Sequence, residues 1–123
     1  MTISRFDETL PHIFPCLSAE KVAELADIID QLIITLHPEA IYVFGSQARG
    51  DARSDSDVDL LIVVPPTDIP DYRLSQTAYK ATAGHWLSVD LIVMPADEFA
   101  WRRRSPASLP STVLREGKLL YAA

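Results

Sequence analysis

Between Ser18 and Leu36 the apolar residues Val22, Leu25, Ala26, Ile29, Leu32, Ile33 and Leu36 recur at helical spacing, so they share one side of a predicted α-helix. Ser18 is suited to cap its start, and His37-Pro38 ends it, because the residue before a proline is pushed out of the helical region. Ile41-Tyr42-Val43-Phe44 then reads as a short buried strand, β-branched and aromatic, stopped by Gly45. The residues that follow, as far as Ser56, are rich in Ser, Asp, Arg and Gly and leave room only for a short helix and a loop. Val58 to Val64 is apolar on both faces, the pattern of a central strand covered on each side, and Pro65-Pro66 terminates it.

Downstream the signals weaken but keep alternating. Pro70 to Ala83 predicts a helix that starts at proline and stops at Gly84, and Trp86 to Val93 predicts a third strand. Pro95 opens a helical stretch through Asp97, Glu98, Phe99 and Trp101, and a last helix is expected between Ser108 and Glu116, stopped by Gly117. Strands separated by helices imply an α/β sandwich. No internal repeat, low-complexity tract or linker interrupts the pattern, and a chain of 123 residues suits one core, so a single domain over residues 1–123 is expected. The segment 1–17 is an extension to which the sequence assigns no structure.

Composition narrows the function. The chain is 48% hydrophobic and 23% charged, as a folded protein should be, and its net charge of −6 argues against holding extended nucleic acid, which needs clustered Lys and Arg. Cys16 is the only cysteine, so no intrachain disulfide forms. The start of the chain lacks the basic-then-apolar order of a signal peptide, and no apolar run approaches the roughly 20 residues that span a bilayer. A cytoplasmic protein without a membrane partner is expected.

Chemistry concentrates in three places. Asp57 and Asp59 stand two residues apart at the start of a strand, so the strand period directs both carboxylates to one face, where like charges call for a cation or a proton between them. Asp90 lies within the apolar run Leu87 to Val93 and joins the pair if the third strand lies beside the second. Hard divalent ions such as Mg²⁺ take oxygen ligands of this kind and complete their shell with water and substrate phosphates. Gly45-Ser46 opens the short segment Gln47-Ala48-Arg49, where a glycine permits close approach of backbone to ligand, a helix start favours an anion and Ser46 adds a hydroxyl. Arg49 reaches a phosphate oxygen if its side chain points inward. A phosphate cradle facing carboxylate-bound metal suits in-line phosphoryl transfer with two ions.

Each feature also has a plainer reading. An Asp-rich loop is commonly a solvated turn, a Gly-Ser pair after a strand is commonly only a turn, and Asp90 could be the ion-pair partner of an arginine. Trp101-Arg102-Arg103-Arg104 reads as a solvated helix face. His12, His37 and His85 fit no metal-ligand spacing, and Tyr72, Tyr79 and Trp86 read as core or interface residues. What separates the carboxylates and the Gly-Ser turn from these readings is their ordered combination.

Gly45-Ser46-Gln47-Ala48-Arg49-Gly50 followed by Ser56-Asp57-Val58-Asp59-Leu60-Leu61 resembles the signature of the polymerase-beta-type nucleotidyltransferase superfamily. The short chain is similar within it to the minimal nucleotidyltransferases, many of which act as antitoxins beside a helical HEPN partner. The resemblance runs from about Pro38 to Leu120, taking in Val89-Asp90-Leu91 and Arg115 to Tyr121, and leaves the segment before Ser18 uncovered. It implies a nucleotidyltransferase fold, a short mixed β-sheet with helices packed against it. It further implies that Gly45 and Ser46 hold the triphosphate of ATP, that Asp57 and Asp59 bind Mg²⁺, and that Asp90 helps the catalytic metal activate an acceptor hydroxyl. Arg49 matches the family's loop without a definite role. The implied activity is transfer of AMP from ATP to a tyrosine of a partner HEPN toxin. The competing reading is a non-catalytic module that neutralises a helical partner by contact. Transfer to a small molecule fits less well, since little chain follows Asp90 to form a helical substrate domain.

Overall fold

The computed structural model describes residues 9–123. A single turn, α1 (Leu10–Ile13), leads into the long helix α2 (Ala19–Leu36). The Ser18 hydroxyl accepts the Lys21 N–H at 3.2 Å, and the chain leaves α2 through His37, whose left-handed backbone (φ 48°) lets its N–H reach the Ile33 carbonyl at 3.1 Å. The predicted apolar face is the buried face, with Leu25, Ile29 and Leu32 fully enclosed.

Strand β1 (Ala40–Phe44) is followed by the short helix α3 (Ser46–Arg49), and then, across the polar loop, by β2 (Val58–Val64). The remaining elements are α4 (Asp71–Lys80), β3 (Val89–Pro95), α5 (Ala96–Arg102), α6 (Leu109–Glu116) and β4 (Lys118–Ala122). The strands form one mixed sheet in the order β3-β2-β1-β4. β2 runs parallel to β3, joined by the α4 crossover, while β1 runs antiparallel to both β2 and β4.

Both faces of the sheet are covered, as the apolar residues of β2 on each side require, Asp59 being its one polar position. Leu60, Ile62 and Val64 point into the main core with Ile41, Val43, Leu91 and Val93, under α2 and α4. Leu61 and Val63 point the other way, into a smaller cluster with Met94, Phe99 of α5 and Val113 of α6, where Tyr42 stacks on Phe99 at 5.9 Å between ring centroids. By the strand period, Asp59 shares this second face.

The structure shifts several sequence expectations. The third strand starts at Val89 rather than Trp86: the Trp86 amide is drawn to the Glu24 carboxylate at 2.7 Å, and its indole is 97% exposed. Tyr72 and Tyr79 are likewise outside the core. Tyr79 nevertheless has a task, since its hydroxyl accepts the Leu91 N–H at 3.1 Å on the open edge of β3. The helix predicted from Pro70 to Ala83 stops at Lys80 and unwinds through turns to Gly84 (φ 80°). β4 was not predicted. Of the segment 1–17, residues 1–8 lie outside the described residues, and within the remainder Leu10, Phe14 and Leu17 are buried in the main core. Among the described residues no helix is long and apolar enough to cross a membrane.

Candidate active site

The register of the sheet assembles the site. Across β1 and β2, Asp59 pairs with Phe44, and across β2 and β3 it pairs with Asp90, so the two carboxylates lie on adjacent strands, side by side on one face. Gly45 follows Phe44 and turns the chain over Asp59. Its backbone (φ 74°, ψ −155°) belongs to a region open almost only to glycine, and a Cβ there would collide with the Asp59 carboxylate. Glycine is thus required at this position twice, for conformation and for space.

Asp59 and Asp90 share a hydrogen bond between their side chains. The Asp59 carboxyl is held above the ordinary carboxylate range, first because burial disfavours its charge, then because of the charge and hydrogen bond of Asp90 and the charge of Asp57. The Arg49 guanidinium opposes these effects without cancelling them. Two acids so placed are stable only with a proton or a cation between them. Asp57 lies one residue before β2, exposed, and acts on Asp59 through its charge. Among the described residues no three His, Cys, Asp or Glu side chains stand close enough together to hold a metal ion, so the pair Asp59 and Asp90 is the tighter unit and Asp57 its outlying neighbour.

The loop that presents Asp57 is braced from three sides. Gln47 of α3 is buried, 3% exposed, and donates its amide to the Ser56 carbonyl at 3.3 Å. Lys21 of α2 reaches the Ser54 carbonyl at 2.8 Å, and the Cys16 thiol donates to the Ala52 carbonyl at 3.2 Å. Within the loop the Ser56 hydroxyl accepts the Arg53 N–H at 2.8 Å. The Val58 N–H then donates to the Ser88 carbonyl at 3.0 Å, which locks the start of β2 beside the approach to β3. These braces escaped sequence reasoning.

The remaining sequence candidates fall as follows. Ser46 opens α3 directly after Gly45, so the first turn of that helix lies beside the carboxylates. Arg49 pairs with Asp51 at 3.5 Å, its side chain half-exposed, and its charge reaches Asp59. Asp90 is exposed on the edge strand, and no arginine pairs with it among the described residues. Of the histidines, His85 bridges Glu24 at 3.4 Å and Asp27 at 2.6 Å, an anchor between α2 and the turn after α4.

A crystal structure of a provisionally assigned nucleotidyltransferase from Sulfolobus solfataricus matches 99% of this chain and 90% of its own, with a TM-score of 0.59 and 21% identity, a likeness of fold. A crystal structure of a toxin–antitoxin with AMP-PNP matches more weakly, with a TM-score of 0.49 and 23% identity over 79% of this chain and 72% of that one. A Methanocaldococcus jannaschii protein provisionally named a protein adenylyltransferase is 35% identical over 57 residues, 46% of this chain. That match spans about half, 56%, of the curated relative's length. The model of the nucleotidyltransferase domain family matches residues 22–119, from α2 to β4, and so reaches further towards the N-terminus than the motifs do. This protein belongs to the nucleotidyltransferase domain family.

Proposed function

We propose that this protein transfers AMP from ATP to a hydroxyl, that of a tyrosine, on a partner protein of the helical HEPN type, and thereby acts as its antitoxin. The observation that carries the chemistry is the register of Asp59 beside Asp90 under the Gly45-Ser46 turn. The provisional name of the Methanocaldococcus jannaschii relative supports a protein acceptor, and the HEPN partner follows from the sequence resemblance alone.

The paired carboxylates fit Mg²⁺. Their oxygens are hard donors, and two neighbouring carboxyls beside the charge of Asp57 favour a cation among them. Asp59 and Asp90 would hold the ion, with Asp57 as the further ligand, or share two ions among the three. When bound, Mg²⁺ neutralises the triphosphate and the charge that develops as pyrophosphate leaves. Gly45 lets the chain turn over Asp59 and so sets the start of α3 beside the carboxylates, where the Gly45-Ser46 turn would receive the phosphates and Ser46 donate to their oxygens. Asp90, the more exposed of the pair, orients the acceptor hydroxyl. The hydroxyl oxygen forms a bond to the α-phosphorus, the bond from that phosphorus to the pyrophosphate oxygen breaks, and the hydroxyl proton passes to a carboxylate or to water.

The test is intact-mass spectrometry of the protein mixed with the product of the neighbouring gene, ATP and Mg²⁺. The expected result is a gain of one or more AMP units on the neighbour, reduced at least about 100-fold in rate by Asp57→Ala or Asp59→Ala, the scale of losing a group that stabilises transition-state charge. A stable complex with no gain in mass would overturn transfer in favour of neutralisation by contact.

A further inference from the structure

The geometry points to a docking groove for an acidic segment of the protein acceptor, between the end of α5 and the start of α6. This deepens the protein-acceptor reading and rests on it. The groove encloses about 560 Å³ and is lined by Trp101, Arg102, Arg104, Ser105 and Ser108. It is the cationic part of an acidic molecule: from Phe99 to Arg115 the chain has four arginines and no Asp or Glu, against a net charge of −6 overall. Arg102 is paired with Glu98 at 3.4 Å, whereas no carboxylate pairs with Arg103 or Arg104 among the described residues. Trp101 beside them is 70% exposed. Within the groove an exposed indole, the uncompensated Arg104 and the half-exposed Arg102, whose pair with Glu98 is long, together suit a segment that carries carboxylates and an apolar side chain.

The groove is built rather than loose. Arg115 reaches back from α6 to the Pro106 carbonyl at 3.2 Å and the Ser111 hydroxyl at 2.7 Å. The Ser108 hydroxyl donates to the Ser105 carbonyl at 2.8 Å and accepts the Ser111 N–H at 3.2 Å. With Ser108 filling the cap of α6 and Pro110 in its first turn offering no N–H, the groove meets an anion with its guanidinium groups and not with a helix N-terminus. Carboxylates on an extended segment need only the guanidinium groups. The placement suits delivery of an acceptor: α5 and α6 cover the same sheet face that bears Asp59.

The sequence has two tryptophans, so Trp86→Phe leaves Trp101 as the sole indole reporter. The probe is a ten-residue glutamate-rich peptide titrated into this variant while Trp101 fluorescence is followed. The expected result is a saturable change that weakens with added salt, falls at least about tenfold in affinity in Arg102→Gln/Arg104→Gln, and persists in Arg103→Gln, which lies outside the groove. It should also persist in Asp59→Asn, which removes the catalytic charge and not the groove. An equal loss in Arg103→Gln would reduce the effect to bulk charge and overturn the proposal, as would a response to inorganic tripolyphosphate with none to the peptide. Failures of the two readings are separable. AMP transfer that continues undiminished in Arg102→Gln/Arg104→Gln sinks the groove alone, whereas peptide binding without any AMP transfer sinks the transfer reading alone.

Discussion

At the scale of single residues, Asp59 shows a site working against the stability of its own fold. Because its folded pKa is raised above the ordinary 3.8, the metal-free native state holds that proton more tightly than the unfolded chain does. Stability of the metal-free protein therefore falls as pH rises from near 3.8 through the raised folded value, and the penalty is fully present above it. Asp59→Asn should remove that pH dependence, raise the Tm of the metal-free protein at neutral pH and abolish AMP transfer, a trade of function for stability read by thermal melts. Mg²⁺ should raise the Tm of the wild type, by about 1.4 kcal/mol of stability at ten times its Kd, and leave Asp59→Asn unmoved. An equal Mg²⁺ shift in both proteins would place the ion elsewhere. Gly45→Ala should lose about 1–3 kcal/mol from the backbone conformation alone, with a further loss of activity as the new methyl displaces the Asp59 carboxylate. Urea denaturation and the transfer rate measure the two parts.

At the scale of elements, what could be read in the sequence was what local physics decides. α2 was legible because a polar cap, an apolar period and His37-Pro38 all agree, and β2 because apolar residues on both faces require a central strand. The carboxylates and the Gly45-Ser46 turn were legible because few structures ask for those residue types in that order. Their pairing depended on the parallel register of β2 and β3, which the sequence allowed only as a condition. The braces from Lys21, Gln47 and Cys16 were illegible because each ends on a backbone carbonyl, which no side-chain pattern marks, and those of Lys21 and Cys16 also reach across 33 and 36 residues. β4 was illegible because its five residues have no alternation of their own and are held by pairing with β1, with a register shift between Ile41 and Tyr42. Gly117, read only as a helix stop, does more: a Cβ there would stand 2.5 Å from the Val113 carbonyl oxygen and 2.7 Å from that of Val43. Its φ of −80° is ordinary, so the constraint is space. Gly117→Ala should destabilise by about 1–3 kcal/mol, the cost of overpacking against backbone that cannot yield, and should loosen the β1 and β4 pairing in hydrogen exchange.

At the scale of the whole molecule, the stretch that matches the family begins at residue 22, yet the main core does not begin there. Leu10 and Phe14 are 0% exposed and lie in one cluster with Leu25, Ile29 and Leu60, so residues 9–17 pack into the core of the domain. Two residues beyond Phe14, Cys16 holds the Ala52 carbonyl of the loop that leads to Asp57, which ties this segment to the candidate site as well as to the core. Phe14→Ala should therefore cost about 3–5 kcal/mol, a large share of the roughly 5–15 kcal/mol that holds a domain together. In urea the midpoint should fall with the slope unchanged, because the segment unfolds with the rest in one transition. A loss below about 1 kcal/mol, or a separate early transition, would show that residues 9–17 are only laid against the domain. If they are integral, a chain trimmed to the matched residues would lose both core packing and two braces of the Asp57 loop, those from Cys16 and Lys21, so truncation should lower the AMP transfer rate even under conditions where the shortened protein remains folded.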